Sequence, residues 1–316
     1  MADFLLLMCG LAGLWLGSET LIRGAMSIAD RYRLSDALFG MLVLAIGTDL
    51  PELFVAFDAS FRSLAGEDLS GIVIGSAIGS TIGQFALVFG LAGFLGYRPM
   101  QRKFLARNTV FLVGSIVAVF VFSLDGVISR TEGILLCVYY GAYLYVLIFR
   151  RAEMPDEGEN QPDAAIWKAW FVLLVGFGLL LISAELTVAS ATSFAEAVGL
   201  SNIAVSAIII GMGSSLPELS VSFVALLRKR HGLSVGNLVG SNVLDTLLVP
   251  GLAAVISPLI VPVAVLWVDL PVLLVTTVLV LGFLYVSKRG IRTVEAVILV
   301  TIYIGYAATR LVGPGS

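Results

Sequence analysis

The sequence predicts an all-α membrane protein of ten transmembrane helices, arranged as two inverted five-helix repeats. Three observations predict it: apolar composition, alternation of basic loops, and an internal duplication. The chain of 316 residues is 59% hydrophobic and 13% charged, with a mean hydropathy of +1.01. Charged residues make up about a quarter of an ordinary soluble domain. A chain this apolar takes lipid as its solvent.

Ten segments offer the roughly 20 mostly apolar residues that a membrane helix needs. They fall at 3–22, 34–61, 70–95, 106–124, 132–149, 167–192, 202–227, 234–256, 269–287 and 293–312. The first has neither the basic leader nor the small-residue cleavage site of a signal peptide, so it is read as a mature helix. Cys9 and Cys137 lie in apolar runs and are read as packed membrane residues. The net charge of −3 identifies no partner, because in a membrane protein the distribution of basic residues among loops carries the information.

That distribution is lopsided. Of the 19 basic residues, 16 fall at the odd-numbered loops, in groups such as Arg31 and Arg33, Arg102 and Lys103, Arg150 and Arg151, Arg228 to Arg230, and Lys288 and Arg289. Only Arg62, Arg130 and Arg310 fall on the other side. The positive-inside rule therefore puts the odd loops in the cytoplasm and both termini outside a cell (inner) membrane. A missed helix would scramble the alternation, so the split also supports ten.

The duplication sets residues 41–60 against 207–226 at an offset of 166, matching Gly47 with Gly213, Pro51 with Pro217 and Glu52 with Glu218. Residues 71–95 match 232–256 at an offset of 161, pairing Gly79 with Gly240 and Ser80 with Ser241. The first offset also pairs Glu19 with Glu185. Residues 1–149 form the first repeat, 150–166 a polar cytoplasmic linker, and 167–316 the second. A five-helix unit enters the membrane from opposite sides in its two copies, the arrangement of many secondary transporters. The linker's carboxylates lack the ligand period of a calcium loop, which favours a solvated connection over a calcium-sensing patch.

Carboxylates inside lipid are costly and mark function. Asp49, Glu52, Glu218 and Asp245 lie inside the duplicated blocks. On a helix Thr48, Asp49 and Glu52 share a face, and Ser214, Ser215 and Glu218 repeat the pattern. Each glutamate follows a proline, which has no N–H, so Pro51 releases the carbonyl of Gly47 and Pro217 that of Gly213. A bound cation satisfies both a freed carbonyl and a carboxylate. Ser80 with Gln84, and Ser241 with Asp245, sit four apart and set a hydroxyl beside an amide or carboxyl oxygen. Stripes at Gly71, Gly75, Gly79 and Gly83, and at Gly232, Gly236 and Gly240, are expected to bring these helices against those bearing the glutamates. Such oxygen donors suit calcium, sodium or magnesium, with the single histidine, His231, in a loop. Glu19 and Glu185 are weaker ion candidates, Asp58 is expected in solvent, and Asp269 reads as an N-cap before Pro271.

At Gly47-Thr48-Asp49-Leu50-Pro51-Glu52 with Gly79-Ser80-Thr81-Ile82-Gly83-Gln84, and at Gly213-Ser214-Ser215-Leu216-Pro217-Glu218 with Gly240-Ser241-Asn242-Val243-Leu244-Asp245, the chain resembles the calcium/cation antiporter superfamily. It is most similar to prokaryotic sodium/calcium exchangers. The resemblance implies ion coordination by Thr48, Glu52, Ser80 and Gln84 and by Ser214, Glu218, Ser241 and Asp245, with backbone oxygens near Ala45 and Gly211. It also implies gating by helices 1 and 6, and exchange of three sodium ions for one calcium. Calcium and monovalent cations are then substrates, with no cofactor, no nucleic acid and no obligate protein partner. Asp49 stands where a small hydroxyl residue is common, and Gln84 where asparagine or aspartate is common. Both departures bear on the counter-ion, leaving potassium-dependent or proton-coupled exchange as alternatives to sodium. A passive cation channel is the rival from another class. An enzyme is disfavoured, since no His-Glu-x-x-His motif and no nucleophile with a histidine occurs.

Overall fold

The computed structural model describes residues 2–94, 102–149, 166–197, 213, 215–286 and 291–312. Lipid offers backbone groups no partner, so each apolar segment closes its own hydrogen bonds as a helix. The helices are α1 (Ala2–Tyr32), α2 (Asp36–Thr48), α3 (Leu50–Leu64), α4 (Ser70–Leu91), α5 (Arg102–Phe122), α6 (Arg130–Phe149), α7 (Ile166–Ala197), α8 (Leu216–Leu227), α9 (His231–Ile256), α10 (Val265–Val286) and α11 (Thr293–Val312). Among the described residues, eight helices are long and apolar enough to cross a bilayer, or nine if the bent pair α2 and α3 forms one span. Residues 202–212 and 214 of the expected seventh segment lie outside the described residues, and α8 forms most of its described remainder. The linker expected at 150–166 lies outside them too, apart from Ile166, which opens α7.

Two expected boundaries are corrected. Helix α1 runs ten residues past the expected end at position 22, so Arg23 and Arg31 are helical rather than in a loop. The cause is its packing on α7, which continues along its length. Gly10 meets Thr187, Gly13 meets Ser183, Gly17 meets Leu180, Gly176 meets Leu21 and Gly24 meets Leu173, a register that runs antiparallel. The glycines let two backbones touch. At 31 residues α1 is about 46 Å long, more than the roughly 30 Å of hydrocarbon, so the pair tilts or projects. Helix α10 starts before Asp269, which is therefore no N-cap. Asp269 is buried inside the helix, and Arg310 of α11 pairs with it at 3.6 Å.

The connections form two groups. Strand β1 (Val127–Ile128) pairs antiparallel with β2 (Leu259–Ile260), Arg130 donates to the Ile256 carbonyl at 3.1 Å, and Gly71 faces Pro262. In the other group Arg228 bonds Glu19, Arg230 pairs with Asp36 at 3.3 Å, and Gly93 packs on Ile291.

Polarity is distributed inside out. Phe54, Phe149, Trp167 and Ile182 face outward, while α9 is buried from His231 to Leu247 and carries serines, asparagines and an aspartate in the centre. Helices α1 and α7 build a separate hydrophobic cluster with part of α8. The glycine expectation is met in the second repeat: a Cβ at Gly236 would strike the Ala37 carbonyl, and one at Gly240 would lie 2.7 Å from that of Met41, so α9 presses directly on α2. The segment that would meet the first-repeat stripe lies largely outside the described residues, among which Tyr306 and Tyr303 of α11 stand beside Gly79 and Gly83.

Candidate ion-binding site

The site begins with two matching breaks in helices. Asp49, between α2 and α3, has φ −84° and ψ 1°, and Ser215, before α8, has φ −88° and ψ 2°. These residues are repeat equivalents, and both hold the bridge conformation that ends one helical run and starts another. Helices α2 and α3 meet there at 43°. Pro51 and Pro217 occupy the first turn beyond each break, where a missing N–H costs nothing. The next residues, Glu52 and Glu218, point their carboxylates back to the centre, where Glu218 is fully buried and Glu52 nearly so.

Asp49 faces inward as well. It is fully buried, and its charged neighbours are Asp245, Glu218 and Glu52. Among the described residues no hydrogen-bond donor reaches either oxygen of Asp49. Glu218 has Thr48 and Asp49 beside it, and Asp245 within electrostatic reach. Thr48 donates its hydroxyl to the Leu44 carbonyl at 3.0 Å, leaving its lone pairs free to face a cation.

The other wall is the crossing of α4 and α9. Ser80 donates to Asp245 at 2.9 Å, and Gln84 donates to the Ser80 hydroxyl at 3.3 Å. Ser215 and Ser241 are buried hydroxyls with no hydrogen-bond partner among the described residues. Ser214 and Gly211 lie outside the described residues. A buried carboxylate without a donor is costly, by several kcal/mol per ion after relaxation, and several of them in one place call for cations. Among the described residues no three acidic, histidine or cysteine side chains close on a single point. The polar groups at this centre are mixed, carboxylates beside hydroxyl and amide oxygens, the hard donors that calcium and sodium take.

Comparison with known proteins agrees with this chemistry. Residues 2–149 and 168–312 match the family described as sodium/calcium exchanger protein. The chain belongs to that family. Sodium/calcium exchanger MaX1 of Methanosarcina acetivorans is 27% identical, with 96% of this chain and 97% of that protein covered. Inner membrane protein YrbG of Escherichia coli is 28% identical over 80% of this chain and 79% of its own. A structure of the sodium-calcium exchanger NCX_Mj, soaked with sodium and calcium, superposes with a TM-score of 0.83 at 27% identity, covering 98% of both chains. The exchanger is thus a calcium/cation antiporter and not an enzyme.

Several residues of the exchanger's centre escape a motif reading. Asn242 donates to Gln84 at 3.1 Å, Asn237 donates to Ser222 at 3.0 Å, and Thr246 meets Ser115 at 2.9 Å. Tyr140 of α6 stands near Asp49 and Asp245. One signal was available: Asn237, Ser241 and Asp245 recur every four residues and so share a helix face. Tyr140 and Ser115 carry no such signal, since they arrive from other helices. Of the weaker candidates, Glu19 is held by Arg23 and Arg228, and Asp58 is exposed beside Arg62 at 3.8 Å. Glu185 lines a cavity of about 570 Å³ that also touches Pro51 and Pro217.

Proposed function

We propose that this exchanger moves calcium against sodium by alternating access, at one site shared by both ions. Thr48, Asp49, Glu52, Ser80 and Gln84 supply the ligands from the first repeat, and Ser214, Ser215, Glu218, Ser241 and Asp245 those from the second. The observation that carries the reading is the pair of proline-flanked breaks at Asp49 and Ser215, each aiming a glutamate at a common buried centre.

The register of α1 on α7 supports two five-helix repeats of opposite orientation. Exchanging each residue for its equivalent 166 positions away turns the contact of Gly10 with Thr187 into that of Gly176 with Leu21. The pair is antiparallel and maps onto itself, as two copies related by a two-fold axis across the helices do. The grouping of the connections supports the alternation of loops, and the basic residues then put both termini outside the cell membrane.

A second counter-ion has support from Asp49. Four ionised carboxylates outweigh one calcium by two charges, which leaves room for a further monovalent cation or a proton. Sodium/potassium/calcium exchanger 2 of Rattus norvegicus is 27% identical over 39% of this chain and 18% of its own length. The test is calcium-45 flux into proteoliposomes under separately imposed sodium, potassium and proton gradients. Sodium-driven uptake is expected, steepened by potassium or pH. Uptake indifferent to all three gradients would overturn exchange.

A further inference from the structure

The 570 Å³ cavity lies where α7 passes the start of α3 and the break before α8, with Phe54, Ala184, Glu185 and Ala189 on its wall. Moving each wall residue by 166 positions gives a second location, the seam where α1 passes α8. Phe54 becomes Ser220, Ala184 becomes Ser18, Glu185 becomes Glu19 and Ala189 becomes Arg23. That seam is shut. Ser18 and Ser220 share a hydrogen bond of 2.7 Å, Ser220 donates to the Leu14 carbonyl at 3.2 Å, and Arg228 grips Glu19 through its Nε at 2.8 Å. The repeat equivalent of Arg228 is Arg62, at the far end of α3. Here Arg62 is turned away onto Glu67 at 2.5 Å, and among the described residues no basic side chain pairs with Glu185.

A cavity therefore reaches Pro51 and Pro217 on one side, and at the equivalent place the seam is closed by an ion pair whose own equivalent is not made here. We propose that Glu19 with Arg228, and Glu185 with Arg62, are alternating latches: the first pair shuts the Glu19 side in this structure, and the second shuts the Glu185 side when the first releases. The two repeats exchange conformations in the cycle, so a contact made by one copy in one state is made by the other in the opposite state. Sliding of the α1–α7 pair carries both glutamates at once, since their backbones touch through glycines. Glu19 and Glu185 are thus positioning residues for transport that never touch the ion.

The assignment rests on the alternating-access reading. It is tested with a cysteine at Ala189, in a background lacking Cys9 and Cys137, labelled by an impermeant thiol reagent from the Glu185 side. Arg62→Gln and Glu185→Gln remove the latch of the opposite state and raise the labelling rate by about two- to fivefold, the bias that an exposed ion pair applies to a two-state equilibrium. Glu19→Gln lowers it. The double variant Arg62→Gln with Glu185→Gln labels no faster than either single one, although the two side chains do not meet in this structure. Arg62 is half exposed, so its loss leaves the fold intact. Labelling in the wild type that ignores sodium and calcium would overturn alternating access and the latches with it. Ion-dependent labelling that Arg62→Gln leaves unchanged, or fully additive effects of the two substitutions, would overturn the latches alone.

Discussion

At the scale of single residues the centre is a problem of charge. Glu52 and Glu218 stand at equivalent places in the two repeats and are buried at the centre, where the proposed site uses their charge to hold a cation. Glu52→Gln and Glu218→Gln are each expected to abolish calcium transport, measured as calcium-45 flux, while the purified protein keeps its elution profile in detergent. Wild-type flux in either variant would remove that residue from the mechanism. Asp49 adds the fourth carboxylate, in a position where its repeat equivalent is Ser215. Asp49→Ser is expected to preserve calcium binding and to weaken the dependence of transport on pH or on a second monovalent cation. Unchanged dependence at normal rates would place Asp49 outside the ion site. The glutamates were legible in the sequence because proline, carboxylate and hydroxyl recur at fixed spacing in two copies. The orientation of Asp49 was not, because the same spacing allows a side chain at a helix break to turn either way.

At the scale of elements the decisive contact is the bare backbone of α9 on α2. Gly240→Ala sets a methyl group 2.7 Å from the Met41 carbonyl oxygen, and neither backbone has room to yield. Overpacking of this kind costs about 1–3 kcal/mol, so the melting temperature in detergent is expected to fall by several degrees. Gly141→Ala, at an exposed position with no described residue within 4 Å, is expected to melt as the wild type does. Equal melting of the two variants would contradict the packing of α9. A row of glycines in a sequence signals a smooth helix face but not what lies on it. The backbone of α2 covers the row in α9, and among the described residues Tyr303 and Tyr306 stand beside Gly83 and Gly79. The reach of α1 and the early start of α10 were hidden for a related reason. Arg23 and Asp269 resemble chain ends until Glu19 and Arg310 arrive to neutralise them.

At the scale of the whole molecule the account requires opposite orientations for the two repeats. Glu67 follows α3 and Lys229 follows α8, so these exposed positions mark equivalent ends of the two copies. A single cysteine at Glu67 is expected to react with an impermeant thiol reagent in intact cells, and one at Lys229 only after lysis. Reaction of both in intact cells would contradict inversion. The apolar composition made the all-helical membrane fold legible, because it acts over the full chain and needs no side-chain detail, and the duplication and loop charges point to the inverted repeats. The conformational state was not legible, since both states share one sequence. The central claim is that sodium and calcium share one site made by both repeats. Competition binding on the purified protein tests it most directly, with calcium-45 displaced by rising sodium. The account predicts one calcium per chain, displaced fully by sodium and lost in both Glu52→Gln and Glu218→Gln. Calcium that stays bound at saturating sodium, or in either variant, would contradict it.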